Sequence, residues 1–108
     1  MINKQFYSLL EVFSLAYERA ACGKGKERHA EENQNFEDQI ICSMPREIFD
    51  GDIAFNLGQA LKKAYEHSRL NPKEAVNELL DTLVYIAGAI ILLKEKIEKE
   101  KIENAKKE

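Results

Sequence analysis

Residues 71–105 read NPKEAVNELLDTLVYIAGAIILLKEKIEKEKIENA and contain the strongest periodicity in the chain. Their large apolar side chains recur at alternating spacings of four and three residues, which predicts one long helix with a heptad seam. The seam consists of Leu79, Leu83, Ile86, Ile90, Leu93 and Ile97. Asn71 is placed to cap this helix, with Pro72 at its first position and Glu74 completing a capping box.

This helix is longer and more apolar than one small domain requires. From Lys73 to about Ala105 it would span about 50 Å, whereas a compact domain of about 100 residues has a radius of gyration of about 13 Å. A second apolar stripe beside the seam consists of Leu80, Val84, Ala87 and Ile91. We therefore expect the excess apolar face to be buried against a second copy of the chain, with Ala87-Gly88-Ala89 permitting close approach. In the alternative reading the charged tail, residues 95–108, simply frays; fraying of about the last ten residues fits either case.

The remaining segments predict a mostly α fold in a single domain, 1–108, with three main helices and a small β element near 36–45. A first helix is expected from Asn3 to Cys22 and a second from Ile53 to Leu70, with Asp52 as its N-cap. Residues 23–36 have neither helical nor strand periodicity and predict a loop. Residues 39–44 are predicted as a short strand or extended segment that Pro45 closes.

Composition narrows the class of protein. The 108 residues are 44% apolar and 32% charged, with a net charge of -3, which suits a soluble globular domain. An acidic chain is not expected to bind the backbone of DNA or RNA non-specifically. Two cysteines make no disulfide framework, and the uncharged run from Thr82 to Leu93 is shorter than a bilayer requires. We therefore expect a reduced, cytoplasmic compartment and no membrane partner.

One loop carries a local excess of positive charge. Its residues are Gly23, Lys24, Gly25, Lys26, Glu27, Arg28 and His29, three Lys or Arg against one Glu. The glycines let backbone N–H groups approach an anion, Arg28 can bind a phosphate through two hydrogen bonds, and His29 can donate to or stack on a base. The sequence is not a Walker loop, and a solvated basic turn is the alternative interpretation.

Two helical positions offer weaker candidates. Glu78 and Asp81 share a helix face and could hold Mg²⁺; their spacing resembles the ExxD element of all-α nucleoside triphosphate pyrophosphohydrolases. Those enzymes need a second acidic element, and the only Glu-Glu pair here has no third carboxylate in register. The alternative is that both are exposed acids near a helix N-terminus.

Gln59, Lys63 and His67 form a polar stripe that would line an anion pocket or simply face water. No catalytic triad or zinc spacing is present, so we expect no cofactor and no metal site.

Taken together, several motifs make the chain similar to a phage family, the first type of Thoeris anti-defence sponge. The motifs are GKGKERHA at 23–30, FEDQ at 36–39, GQALKK at 58–63, and ELLD at 78–81 followed by YIAGA at 85–89. The resemblance covers most of residues 5–94.

The resemblance implies a non-enzymatic protein of the host bacterial cytoplasm that captures cyclic nucleotide immune signals without cleaving them. The ligands of that family include glycocyclic ADP-ribose from Thoeris TIR enzymes and cyclic trinucleotides from CBASS. Its members form homodimers that can join into a trimer of dimers. The resemblance assigns the trinucleotide to Gly23, Lys24, Gly25, Lys26, Arg28 and His29 where three copies meet. It places the ADP-ribose-type ligand near the dimer interface, at Lys63, His67, Asn77 and Lys94.

Overall fold

The computed structural model describes residues 2–22 and 34–107, and over these residues the protein is all-helical. The helices are α1 (Tyr7–Cys22), α2 (Ile40–Ile48), α3 (Ala54–Tyr65) and α4 (Pro72–Lys107). Short 3-10 turns lie at Lys4–Phe6, Phe36–Asp38 and Glu66–Arg69. The prediction of a mostly α fold with a long C-terminal helix is therefore confirmed.

The long helix begins where the capping residues predict. Asn71 Oδ1 accepts a hydrogen bond from the backbone N–H of Glu74 at 2.8 Å, and the Asn71 side-chain amide donates to the Glu74 carboxylate. These reciprocal bonds are the expected capping box. The helix runs for 36 residues, and the molecule extends 54 Å along its longest axis. The radius of gyration is 16.1 Å, above the about 13 Å of a compact domain of this length, and every residue of α4 after Leu92 is exposed.

The predicted β element near 36–45 is wrong, because a 3-10 turn and helix α2 occupy this segment. Ile41, Cys42 and Pro45 are buried on one side of α2, so the apolar run follows a helical period. Pro45 does not close the segment but lies inside the helix. The backbone carbonyl of Ile41, which lacks a Pro45 N–H as donor, accepts a hydrogen bond from the Asn56 side chain instead.

A glycine in α4 lets the helices of one chain pack closely. A Cβ at Gly88 would lie 2.9 Å from Asn56 Nδ2 and 3.5 Å from Ile41 Cγ1. Gly88 and Ala89 are buried, and only Ala87 of this triplet is exposed. The prediction that the triplet permits approach of a second copy is thus wrong for Gly88, which packs against its own chain.

The core lies between α2, α3 and α4. Its buried members are Ile41, Cys42, Ala60, Tyr85 and Leu92, with Phe36, Ile53, Phe55, Val84 and Ile91 packed against them. These side chains come from every described element except α1 and the two other 3-10 turns, so α4 serves as the common support on which the shorter helices pack.

An exposed ion pair joins α2 to the long helix α4. Arg46 on α2 donates from Nε and from a terminal nitrogen to the two oxygens of Glu95 on α4, over 3.2 Å and 2.7 Å. The same terminal nitrogen donates to the backbone carbonyl of Glu37 at 2.9 Å. The 3-10 turn at Phe36–Asp38, α2 and α4 are therefore connected through one guanidinium.

The second predicted helix is shorter than expected. It ends at Tyr65, and residues 66–69 continue as a 3-10 turn. At its start the Asp52 carboxylate accepts a hydrogen bond from the backbone N–H of Ala54 at 2.8 Å. Asp52 lies one position before the N-cap residue, which is Ile53. Asp50 and Gly51 both have positive φ, 54° and 81°, in the tight turn that connects α2 to α3.

Helix α4 contains an apolar stretch long enough to cross a membrane by length and composition. An 18-residue window within it has a mean hydropathy of 1.8, and 33% of that window is buried inside the protein. This window is longer than the uncharged run from Thr82 to Leu93 because it admits up to two charged residues, and the expectation of no membrane partner stays a prediction. Mostly buried core helices of soluble proteins pass the same test, and one such helix by itself is weak evidence for a membrane span.

Candidate functional site: an exposed seam and an ion-pair cluster

The heptad seam faces away from the rest of its own chain. Leu83 is half-buried, and the other five seam residues are between 38% and 52% exposed. The buried residues of α4, such as Tyr85, Gly88 and Leu92, lie on the opposite side of the helix. An apolar stripe of this length, directed to solvent, is a surface suited to another protein chain.

The second stripe of α4 has a different role. Leu80 is buried, and Val84 and Ile91 pack against the core, whereas Ala87 is exposed. Three of its four members therefore stabilise one chain, so of the two stripes of α4 the seam is the one left for a partner.

Helix α1 carries a further exposed apolar surface, which we call the α1 stripe. Its members are Leu9, Leu10, Phe13 and Tyr17 of α1 with Phe6 at the end of the preceding 3-10 turn, between 44% and 72% exposed. The only buried residue of α1 is Ala16. The spacing of these side chains was evident in the sequence, but their exposure depends on how little of α1 contacts the other described helices.

Four charged side chains join α1, α3 and α4 in what we call the ion-pair cluster. Arg19 of α1 donates two hydrogen bonds to the Asp81 carboxylate, over 2.6 Å and 3.2 Å. Lys63 Nζ of α3 lies 3.5 Å from Glu78 and 3.9 Å from Asp81. Lys63 Nζ also lies 5.9 Å from the centre of the Tyr85 ring. All four charged side chains are largely buried.

The cluster is balanced in charge, which bears on the magnesium interpretation. Two cations face two carboxylates, so Glu78 and Asp81 already have partners supplied by their own chain. The hydrogen bond from Arg19 to Asp81 raises the pKa of the guanidinium. Among residues 2–22 and 34–107, no three His, Cys, Asp or Glu side chains gather as metal ligands would. Sequence reasoning missed Arg19, because nothing in the local pattern of α1 links it to a residue 62 positions later.

Of the residues assigned to an ADP-ribose-type ligand, Lys94 lies apart from the other three, and the assignment stays a prediction. Lys63 belongs to the ion-pair cluster and Asn77 is half-buried beside Glu78, whereas His67 is exposed in the 3-10 turn. Lys94 is exposed about 20 Å farther along α4 than Asp81. It borders an open groove of about 670 Å³ whose lining, among the described residues, comes from α4.

The predicted trinucleotide loop lies outside the described residues. Gly23, Lys24, Gly25, Lys26, Arg28 and His29 all belong to it, and their assignment stays a prediction. Helix α1 ends at Cys22, immediately before the loop in sequence.

The two cysteines differ in their exposure to solvent. Cys22 is exposed at the end of α1, whereas Cys42 is fully buried in the core. Burial raises the pKa of the Cys42 thiol to about 11. Cys42 is therefore a packing residue that stays protonated and unreactive at neutral pH.

Comparisons with protein-family models, curated proteins and solved structures found no match to this chain.

Proposed function

We propose that the protein is an oligomeric phage anti-defence sponge that binds cyclic nucleotide immune signals and holds them uncleaved. Its ligands in this proposal are glycocyclic ADP-ribose, cyclic trinucleotides, or both, and it acts in the bacterial cytoplasm. The ligand class rests on the similarity of motifs in residues 23–30, 36–39, 58–63 and 78–89 to the first type of Thoeris anti-defence sponge.

The exposed seam is the observation that carries the assembly part of the proposal. Five large aliphatic side chains at heptad spacing face solvent, on the side of α4 opposite to the core. Removing them from water by pairing with a second copy is favourable by about 25 cal/mol per Å² of apolar area. The proposed unit is a homodimer, and the α1 stripe gives each dimer further apolar surface for joining into a trimer of dimers.

The chemistry of the loop suits a cyclic phosphate ligand. Residues 23–29 carry a local charge of about +2 in a chain of net charge -3. Where symmetry-related copies meet, several Arg28 side chains would face several phosphates, while His29 would contact a base. A small acidic protein would in this way select a small anion without attracting long nucleic acids.

The competing hypothesis is a Mg²⁺-dependent pyrophosphohydrolase-like enzyme that uses Glu78 and Asp81. The ion pairs argue against it, because a metal would have to displace Lys63 and Arg19 from two largely buried carboxylates. A helical interaction module that binds no small molecule is the third candidate.

Native mass spectrometry with a panel of cyclic nucleotides, followed by heating, separates the three. We expect mass shifts equal to the bound nucleotide and recovery of the intact nucleotide on heat denaturation. Recovery of breakdown products in the presence of Mg²⁺ would indicate the enzyme, and no mass shift with any cyclic nucleotide would leave the interaction module.

Two double variants with the same residue types locate the sites. Arg28→Ala with His29→Ala should abolish capture of a cyclic trinucleotide, whereas Arg69→Ala with His67→Ala should leave it unchanged. In the second variant we expect weaker capture of glycocyclic ADP-ribose, because His67 is assigned to that ligand. Undiminished trinucleotide capture by the first variant contradicts the loop assignment.

A further inference from the structure

The seam is flanked by positive charge at one end only. Lys94 and Lys96 stand on either side of its C-terminal part, and both are exposed. Thr82 and Ala87, which flank its first half and its middle, are small and uncharged. The next position in the heptad after Leu93 and Ile97 is Glu100, also exposed.

This distribution disfavours a parallel pair of helices. In a parallel pair each residue stands level with its own copy, so Glu100 would directly oppose Glu100 of the partner subunit. The same register would collect Lys94 and Lys96 of both chains around one end of the interface. Like charges held this close destabilise a helix pair.

An antiparallel pair keeps the apolar contacts and separates the charges. The spacings 4, 3, 4, 3, 4 of the seam read the same in both directions, with their centre at residue 88. A reversed copy therefore places Ile86 level with the partner's Ile90, Leu83 with the partner's Leu93, and Leu79 with the partner's Ile97. Lys94 then stands level with the partner's Thr82.

The antiparallel arrangement also removes the repulsion at Glu100. In the reversed arrangement Glu100 stands level with the partner's Val76 instead of the partner's Glu100. The tails beyond Glu100 leave the interface at opposite ends, so their lysines and glutamates remain in water.

We propose that the seam binds a second copy of the chain in antiparallel orientation, about a two-fold axis at the level of Gly88. The proposal rests on the dimer of the proposed function and adds the direction in which the two α4 helices run. The core lies on the opposite side of α4, which leaves five of the six seam side chains exposed to such a partner.

Spin-label distances measured by double electron–electron resonance test the direction. Nitroxide labels are attached to Lys101→Cys in a Cys22→Ser background; Cys42 stays unlabelled because it is fully buried. With the axis at residue 88, the two labels of an antiparallel dimer are about 40 Å apart along the helices. A parallel pair gives about 10–20 Å, close to the separation of the two helix axes plus the label arms.

A label at Lys94→Cys is the control for the dimer itself. The distance between the two labels at position 94 is expected to be about 20 Å in the antiparallel dimer and about 10–20 Å in the parallel one. A long distance at 101 together with a short one at 94 supports the proposal. Short distances at both positions would overturn the orientation while retaining the dimer, and no dipolar coupling at either would refute the dimer and the orientation together.

Discussion

Asn56 donates a hydrogen bond from its side-chain amide to the backbone carbonyl of Ile41, over 3.0 Å. In an unbroken helix that carbonyl would accept the N–H of residue 45, but residue 45 is a proline. Asn56 is fully buried, and its amide also lies 3.4 Å from the carbonyl of Tyr85. One α3 side chain thus replaces the missing backbone donor of α2 and ties both helices to α4.

The role of Asn56 predicts a stability coupling with Pro45. Asn56→Ala leaves the buried Ile41 carbonyl without a donor, which should cost about 1–3 kcal/mol in the free energy of unfolding. In a Pro45→Ala background a backbone N–H becomes available, so the same substitution should cost less. Urea unfolding of the two single variants and the double variant at one protein concentration measures the coupling. Equal costs in both backgrounds would show that Asn56 does not act through the Ile41 carbonyl.

Gly88 and Gly58 form a matched pair for testing helix packing. Gly88→Ala places a methyl group 2.9 Å from Asn56 Nδ2, so we expect destabilisation of about 1–3 kcal/mol. Gly58 in α3 has no atom within 4 Å of an added Cβ. Gly58→Ala should therefore stabilise by about 0.5–1 kcal/mol, because alanine is the better helix former. Thermal unfolding of both variants tests this, and a neutral Gly88→Ala would contradict the close packing.

Burial of the Cys42 thiol predicts a loss of stability at alkaline pH. An ordinary thiol ionises near pH 9, whereas the pKa of Cys42 in the folded protein is raised to about 11. Between these values the unfolded chain loses its proton first, so the free energy of unfolding falls as the pH rises from 9 to 11. The contribution is about 2–3 kcal/mol at most. Unfolding curves across this range measure it.

The two cysteines supply the control for this titration. Cys42→Val should flatten the part of the alkaline decline that belongs to the thiol. Cys22→Ser should leave the decline as it is, because Cys22 is exposed. If the two variants titrate alike, the buried thiol is not its source.

Charges placed on the seam should dissociate the proposed dimer. Ile86→Glu with Ile90→Glu puts acidic side chains at the centre of the seam, and because both residues are substantially exposed the monomer should keep its fold. Light scattering coupled to size exclusion should give the monomer mass. Leu61→Glu with Tyr65→Glu, at exposed apolar positions of α3, is the control and should remain dimeric. A dimer in the seam variant would refute the proposed interface.

Much of the fold followed from local signals. The Asn71–Glu74 capping box predicts the start of the long helix correctly, and the spacing from Leu79 to Ile97 predicts its apolar face. Both are local properties of the sequence. The prediction of a strand for residues 39–44 was wrong because a short apolar run fits a buried strand and a buried helix equally well. A proline usually ends such a run, and only Asn56, eleven positions later, makes it acceptable inside α2.

The candidate site, too, could be predicted from the sequence only in part. The sequence singled out Glu78, Asp81 and Lys63 as functional candidates, but it could not show that Lys63 and Arg19 neutralise the two acids. These contacts join residues 15 to 62 positions apart, and no periodicity encodes such distances.

The sequence alone determined that a long helix with a regular apolar stripe must form, because capping and heptad spacing act within a few residues of one another. Only the tertiary structure decided which stripe of α4 serves the core and which remains exposed, because that depends on where α2 and α3 pack. Gly88 shows the reason most directly: its missing side chain makes room for Asn56, so the core forms on that side of the helix and leaves the seam on the other.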